Sequence, residues 1–184
     1  MTLAGVKTDL PVWFIKGEVR GETYRNLMRY ICRHCKYFSM VTRDAITLEE
    51  NARKFMSTIS PHLKETREKQ YEWPGTRISR EYEQLLGKDW FEVQGATLRI
   101  YDCSNEALEY ILRVTDSLFQ FVHPDYPEDF TCYRDVDDPF LVTVSHEEIG
   151  AIIAGDKERK QIEQIVPGLK LVEEKGFREE PNDN

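Results

Sequence analysis

The sequence predicts one α+β domain, an antiparallel or mixed β-sheet with helices packed on one of its faces. Three observations carry this. Apolar residues recur at helical spacing in some segments, as in Tyr24, Leu27, Met28 and Ile31. Elsewhere they alternate or run β-branched over short spans bounded by turn residues, as in Thr97–Tyr101 and Phe140–Val144. No internal repeat or low-complexity linker divides the 184 residues, of which 40% are hydrophobic, enough for one buried core. The expected organisation is a loose N-terminal lead-in over residues 1–10, a single domain over 11–172 and a polar C-terminal tail over 173–184.

Val12–Ile15 reads as a short strand halted at Gly17. Gly21–Tyr24 opens a helix whose buried face is Tyr24, Leu27, Met28, Ile31 and Cys35, and Tyr37–Thr42 follows as a strand. So short a helix allows the two strands to be parallel neighbours. Thr47 with Glu50 makes a capping box for a second helix, with Leu48, Ala52, Phe55, Met56 and Ile59 inward and Ser60-Pro61 as its end. His62–Gln70 is charged and lacks a period. Trp73-Pro-Gly-Thr76 marks a type II turn with Gly75 at positive φ, packed down by Tyr71 and Trp73. A strand at Thr76–Ile78 and a helical turn at Glu81–Leu86 come next.

Thr97–Tyr101 alternates as a strand. Ser104 caps a helix carrying Leu108, Ile111 and Leu112, whose spacing can run on through Leu118, Phe119 and Val122. A hairpin pairs Phe130–Asp135 with Phe140–Val144 across the turn Val136-Asp-Asp-Pro139. For Ile149–Ala154 two readings compete. Ser145-x-x-Glu148 is a capping box, whereas β-branched enrichment and Gly150 favour a third meander strand, which is preferred. Asp156 caps a last helix over Arg159–Val166, Pro167-Gly168 breaks it, and Leu169–Val172 closes as a strand.

Composition excludes several classes. A formal net charge of −8 argues against a sequence-independent nucleic-acid binder. Arg20, Arg25, Arg29, Arg33 and Lys36 are spaced largely as one solvated helix face. No apolar run reaches the roughly 20 residues that span a bilayer, so no membrane partner is expected. The N-terminal residues lack the basic and apolar regions of a signal peptide, which makes the cytoplasm the expected compartment. Cys32-Arg-His-Cys35 is a lone CxxC, with Cys103 and Cys132 as isolated singles; buried or half-buried thiols outweigh a zinc or redox reading. No cofactor is expected.

Chemistry-bearing residues concentrate around the hairpin. His123, Asp125, Glu128 and Asp129 precede it, and His146 and Glu147 follow it. Antiparallel strands bring their outer ends side by side, so the two groups are expected to meet at one edge, where they could bind a divalent metal or supply an acid and a base. The structural alternative gives each residue a local task in turns and corners, and it carries more weight. His146-Glu147 lacks the second histidine of HExxH, and no GxSxG, P-loop or GxGxxG is present.

Tyr24-Arg-Asn-Leu27, Glu72-Trp-Pro-Gly-Thr76, Ser117-Leu-Phe119, His123-Pro-Asp-Tyr-Pro-Glu-Asp-Phe130 and Ser145-His-Glu147 resemble, in order and spacing over about residues 20–155, a family of small uncharacterised proteins of Bacillus-like genomes. The chain departs from that pattern where Val136-Asp-Asp138 replaces a glycine-containing turn and Phe140 stands for Trp. The resemblance implies no activity. The expectation is therefore a non-enzymatic, acidic protein-binding protein of the bacterial cytoplasm, with an immunity-type inhibitor as one version. Glu128, Asp137, Asp138 and Glu147 would steer a basic protein partner. The alternative is a metal-assisted hydrolase built on His123, Asp129, His146 and Glu147. Oligomeric state is left open by the sequence.

Overall fold

The computed structural model describes residues 3–78, 85–87 and 94–174. Its frame is an eight-stranded antiparallel sheet covered on one face by helices, the α+β arrangement expected. The strands are β1 (Val12–Ile15), β2 (Tyr37–Arg43), β3 (Leu63–Gln70), β6 (Ala96–Asp102), β7 (Glu128–Asp135), β8 (Asp138–Val144), β9 (Ile149–Ile153) and β10 (Leu171–Val172), in the spatial order β10-β1-β9-β8-β7-β2-β6-β3. A separate small hairpin, β4 (Glu72–Trp73) with β5 (Thr76–Arg77), lies outside this sheet. The helices are α1 (Gly21–His34), α2 (Glu50–Ile59), α3 (Asn105–Val114) and α4 (Asp156–Ile165).

The apolar stripe read from the sequence explains α1. Tyr24, Leu27, Met28 and Ile31 are at most 1% exposed and join a core with Phe38 and Met40 of β2, Phe130 and Cys132 of β7, and Phe55, Ile111 and Ile162 of the other helices. Each such aliphatic side chain contributes about 2 kcal/mol of burial. Arg20, Arg29 and Arg33 stay exposed, as a solvated face requires. Ser104 caps α3 as expected, its Oγ accepting from the Ala107 amide at 3.1 Å. That helix stops at Val114, and Leu118–Gln120 forms a separate 3-10 turn, so the continuation read from spacing does not occur.

Other expectations are corrected. β1 and β2 run in the same direction but are not neighbours, because β9, β8 and β7 are inserted between them by later meander pairing. The Thr47 capping box is not used: α2 starts at Glu50, after Glu49 has donated its amide to the Pro124 carbonyl at 3.0 Å. Asp156 is the first helical residue of α4, and Gly155 stands at its cap. Of the charged stretch His62–Gln70, all but His62, which ends a 3-10 turn, is strand β3 at the sheet's edge. Ile149–Ile153 is a strand, the reading preferred from the sequence, and Ser145–Glu147 is one 3-10 turn closed by Glu148 at φ 54. The Glu81–Leu86 helical turn falls mostly outside the described residues, as does the tail from residue 175.

Opposite the helices, the sheet's outer face is covered in part by the β4–β5 hairpin and by residues 3–6. Leu3, in the segment read as a lead-in, is 5% exposed and packs with Phe14, Val142, Ala151 and Ile153. Ala4 bridges Gly75, and the Gly5 amide donates to Glu72 Oε1 at 2.9 Å. Gly75 has φ 92, as the turn required, and an added Cβ would come within 2.9 Å of Val144 Cγ2 and 3.1 Å of Val142 Cγ1. Gly75→Ala is therefore expected to cost about 2 kcal/mol in a denaturant titration, since both the conformation and the close approach oppose it. An unchanged midpoint would mean that the turn does not press on β8.

Candidate functional site: a buried carboxylate pair beneath the outer-face hairpin

β7 begins with two adjacent buried carboxylates. Glu128 is 3% and Asp129 1% exposed, and Asp129 holds a left-handed φ of 56. That conformation suits Asp better than most residues and turns its side chain away from that of Glu128. The two carboxylates then find different partners. Asp129 Oδ2 accepts from Trp73 Nε1 at 2.7 Å and from Thr76 Oγ1 at 3.0 Å, and its Oδ1 accepts from the Ser145 amide at 2.9 Å. One side chain thus ties the β4–β5 hairpin to β7 and to the exit of β8.

Glu128 faces β2 and the loop before β7. Arg43 Nε donates to its Oε1, and His123 Nδ1 stands 2.9 Å from its Oε2, close but poorly aligned for a hydrogen bond. The Arg43 amide points at His123 Nε2 from 3.4 Å, which makes that nitrogen the acceptor and leaves the proton on Nδ1, toward Glu128. Arg43 also lies over the Trp73 ring, 5.5 Å from its centroid. Burial alone would push the Glu128 carboxyl up, but His123 and Arg43 outweigh it and hold it below its ordinary value. Asp129 goes the other way: burial first, and the Glu128 charge second, raise it against the pull of its three donors.

The structure brings together part of the sequence-derived set. His123 and Glu128 meet, and Asp129 reaches the chain just before His146 through Ser145. Asp125 is exposed, and His146 and Glu147 are exposed with each other as neighbours at 3.7 Å. Among the described residues no three His, Cys, Asp or Glu side chains gather closely enough to hold a metal ion. Glu128, expected on the surface as a steering charge, is instead consumed by the Arg43 and His123 contacts. Arg43 was not singled out from the sequence, and Trp73 and Thr76 were read there only as turn residues, because each becomes a partner of the pair only through long-range packing.

Cys35 and Cys132 are buried, Cys32 and Cys103 half-buried, and all four thiols are free. Burial pushes every one of them up, Cys35 to about 12, so they are protonated and weakly nucleophilic at neutral pH.

Beside the β4–β5 hairpin lies an open cleft of about 550 Å³, floored by Leu98, Trp73 and Tyr133 and rimmed by Arg67, Arg77 and Asp137. Arg77 is held bidentately by Glu72, and Arg67 by Glu65. At one end stands the β7–β8 tip, where Asp135, Val136, Asp137 and Asp138 are all exposed. Lys36 pairs with Asp135, and Arg67 approaches Asp137 at 3.7 Å.

Compared with protein-family models, curated proteins and solved structures, the chain matches none of them. The class is thus the one that fold and site define: an α+β domain whose outer sheet face carries a carboxylate-clamped hairpin beside an open cleft. No helix among the described residues is long and apolar enough to cross a membrane.

Proposed function

We propose that this chain is a non-enzymatic protein-binding protein that covers a basic partner, in its most specific form an immunity-type inhibitor acting in a bacterial cytoplasm. The observation that supports this best is the exposed acidic tip of the β7–β8 hairpin next to an open cleft with an aromatic floor. Apolar area flanked by charge is the anatomy of a protein interface. The net charge of −8 supplies long-range attraction for a basic surface. Of the four residues that suggested a hydrolase, two support the same reading: the side chains of His123 and Asp129 are buried, held together with Glu128 by Arg43, Trp73 and Thr76, while His146 and Glu147 are exposed.

The test is capture from source cells with elution by salt, followed by association kinetics of the purified pair. Reversing Asp137, Asp138 and Glu147 together to lysine is expected to slow association roughly tenfold at low salt, with the difference vanishing at high salt. Association rates that ignore all three reversals would remove the electrostatic masking role.

A further inference from the structure

β3 is an unusual strand. It has eight residues, Leu-Lys-Glu-Thr-Arg-Glu-Lys-Gln, with Leu63 as its only apolar member, and it is exposed over most of its length. Burial does not hold it in place. It pairs with β6 on one side and, among the described residues, with no strand on the other. Its regular segment is short. Glu65, Thr66 and Arg67 pair in step with Ile100, Arg99 and Leu98, and the register shifts on both flanks, with Lys69 at φ 52.

Charged residues and bulges on an edge strand commonly guard it against pairing with another sheet. The charge order here does the reverse for one particular partner. We infer that the edge of β3 left unpaired by the described strands is a self-association edge for a second copy of this chain, paired antiparallel about Thr66. In that register Glu65 faces Arg67 of the second copy and Lys64 faces Glu68 of the second copy. Each contact occurs twice by symmetry. A half-residue shift of the axis is excluded, since it would oppose side chains of opposite sheet faces. Moving the axis a full residue sets Glu65 against Glu65 or Arg67 against Arg67 of the second copy, so either neighbouring register brings like charges together at the axis.

The symmetry axis falls on the middle residue of the regular segment, where a straight partner strand fits. The register shifts fall at Lys64 and at Glu68–Lys69, so the regular pairing is confined to residues 65–67, with Lys64 and Glu68 flanking it. Within one copy Arg67 already grips Glu65 bidentately, Nε to Oε1 at 2.7 Å and Nη2 to Oε2 at 3.1 Å. In the pair these groups exchange partners across the axis on the same sheet face. Two eight-stranded sheets then become one continuous sheet through two copies. This association is independent of the protein-binding role and needs no other partner.

Sedimentation equilibrium of the full chain over roughly 1–300 µM reads it directly. The wild type is expected to show a reversible monomer–dimer equilibrium that weakens with salt. Glu65→Arg and Arg67→Glu each place two like-charge pairs across the axis, and each alone should self-associate roughly tenfold more weakly. Mixed in equal amounts, the two variants restore both attractive contacts and should form a heterodimer of wild-type strength. Both variants break the internal Glu65–Arg67 pair, so a loss due to misfolding would not be rescued by mixing. A wild type that stays monomeric over the whole range, variants that dimerise as well as the wild type, or a mixture no stronger than its components would each overturn the assignment.

Discussion

Replacing Asp129 with asparagine is expected to destabilise the protein by about 3 kcal/mol, the scale of charge-assisted hydrogen bonds lost from a buried site. Asparagine keeps the size of the side chain and tolerates the left-handed φ of 56, so backbone strain is not the variable. What changes is the acceptor at Oδ2. Trp73 Nε1 can only donate, and it would face an amide NH2 where it now meets a carboxylate oxygen at 2.7 Å. The β4–β5 hairpin and residues 3–6 rest on this contact, so the outer-face cleft is expected to loosen with it. Denaturant unfolding measures the loss, and Trp73→Phe, which removes the opposing donor, should recover part of it in the double variant. A loss below about 1 kcal/mol would show that Asp129 is not the clamp.

Arg43→Ala is expected to cost about 3 kcal/mol at neutral pH, because it leaves the Glu128 carboxylate, 4% exposed, without its guanidinium. The cost should shrink on acidification, and the sign follows from the Glu128 shift. In the wild type its folded value lies below the ordinary 4.5. Its contribution to stability is therefore present above that ordinary value and is lost as pH falls through the folded one. Without Arg43 the folded value rises, because one of the two groups that lower it is gone. The variant then loses less stability than the wild type over the same range. Asp129, with its raised folded value, contributes a slope of the opposite sign in both proteins. Unfolding titrations of both proteins between about pH 3 and 7 give the comparison, and a pH-independent difference would rule out Glu128 as the group that Arg43 compensates.

Much of the fold was legible because local chemistry and tertiary packing agree. The α1 stripe, the Ser104 cap, the β7–β8 hairpin, whose turn is two residues shorter than read, and the Gly75 turn all have a residue whose backbone preference or periodicity points one way. β3 was missed because it carries no alternation of apolar and polar residues; it is a strand through its ladder with β6. The capping box at Thr47 misled for a related reason, and the one at Ser145, set below the strand reading of Ile149–Ala154, is unused for the same one. Thr47 and Ser145 are offered helix starts by sequence, but Glu49 bonds to Pro124 and the Ser145 amide bonds to Asp129, and those long-range contacts set the backbone.

The candidate site divides in the same way. The sequence marked His123, Asp125, Glu128, Asp129, His146 and Glu147 as one concentration of chemistry, and antiparallel pairing does bring the two ends of the hairpin together. It could not distinguish an exposed cluster from a buried one, because the partners that bury it lie 85 residues from Glu128, at Arg43, and 56 from Asp129, at Trp73. Residue type and spacing by themselves determined the α+β class, the charge and the hairpin, since those depend on local preference and overall composition. Which carboxylates face water and which are clamped inside was decided by strand order, because a carboxylate's role follows from the donors that folding carries to it.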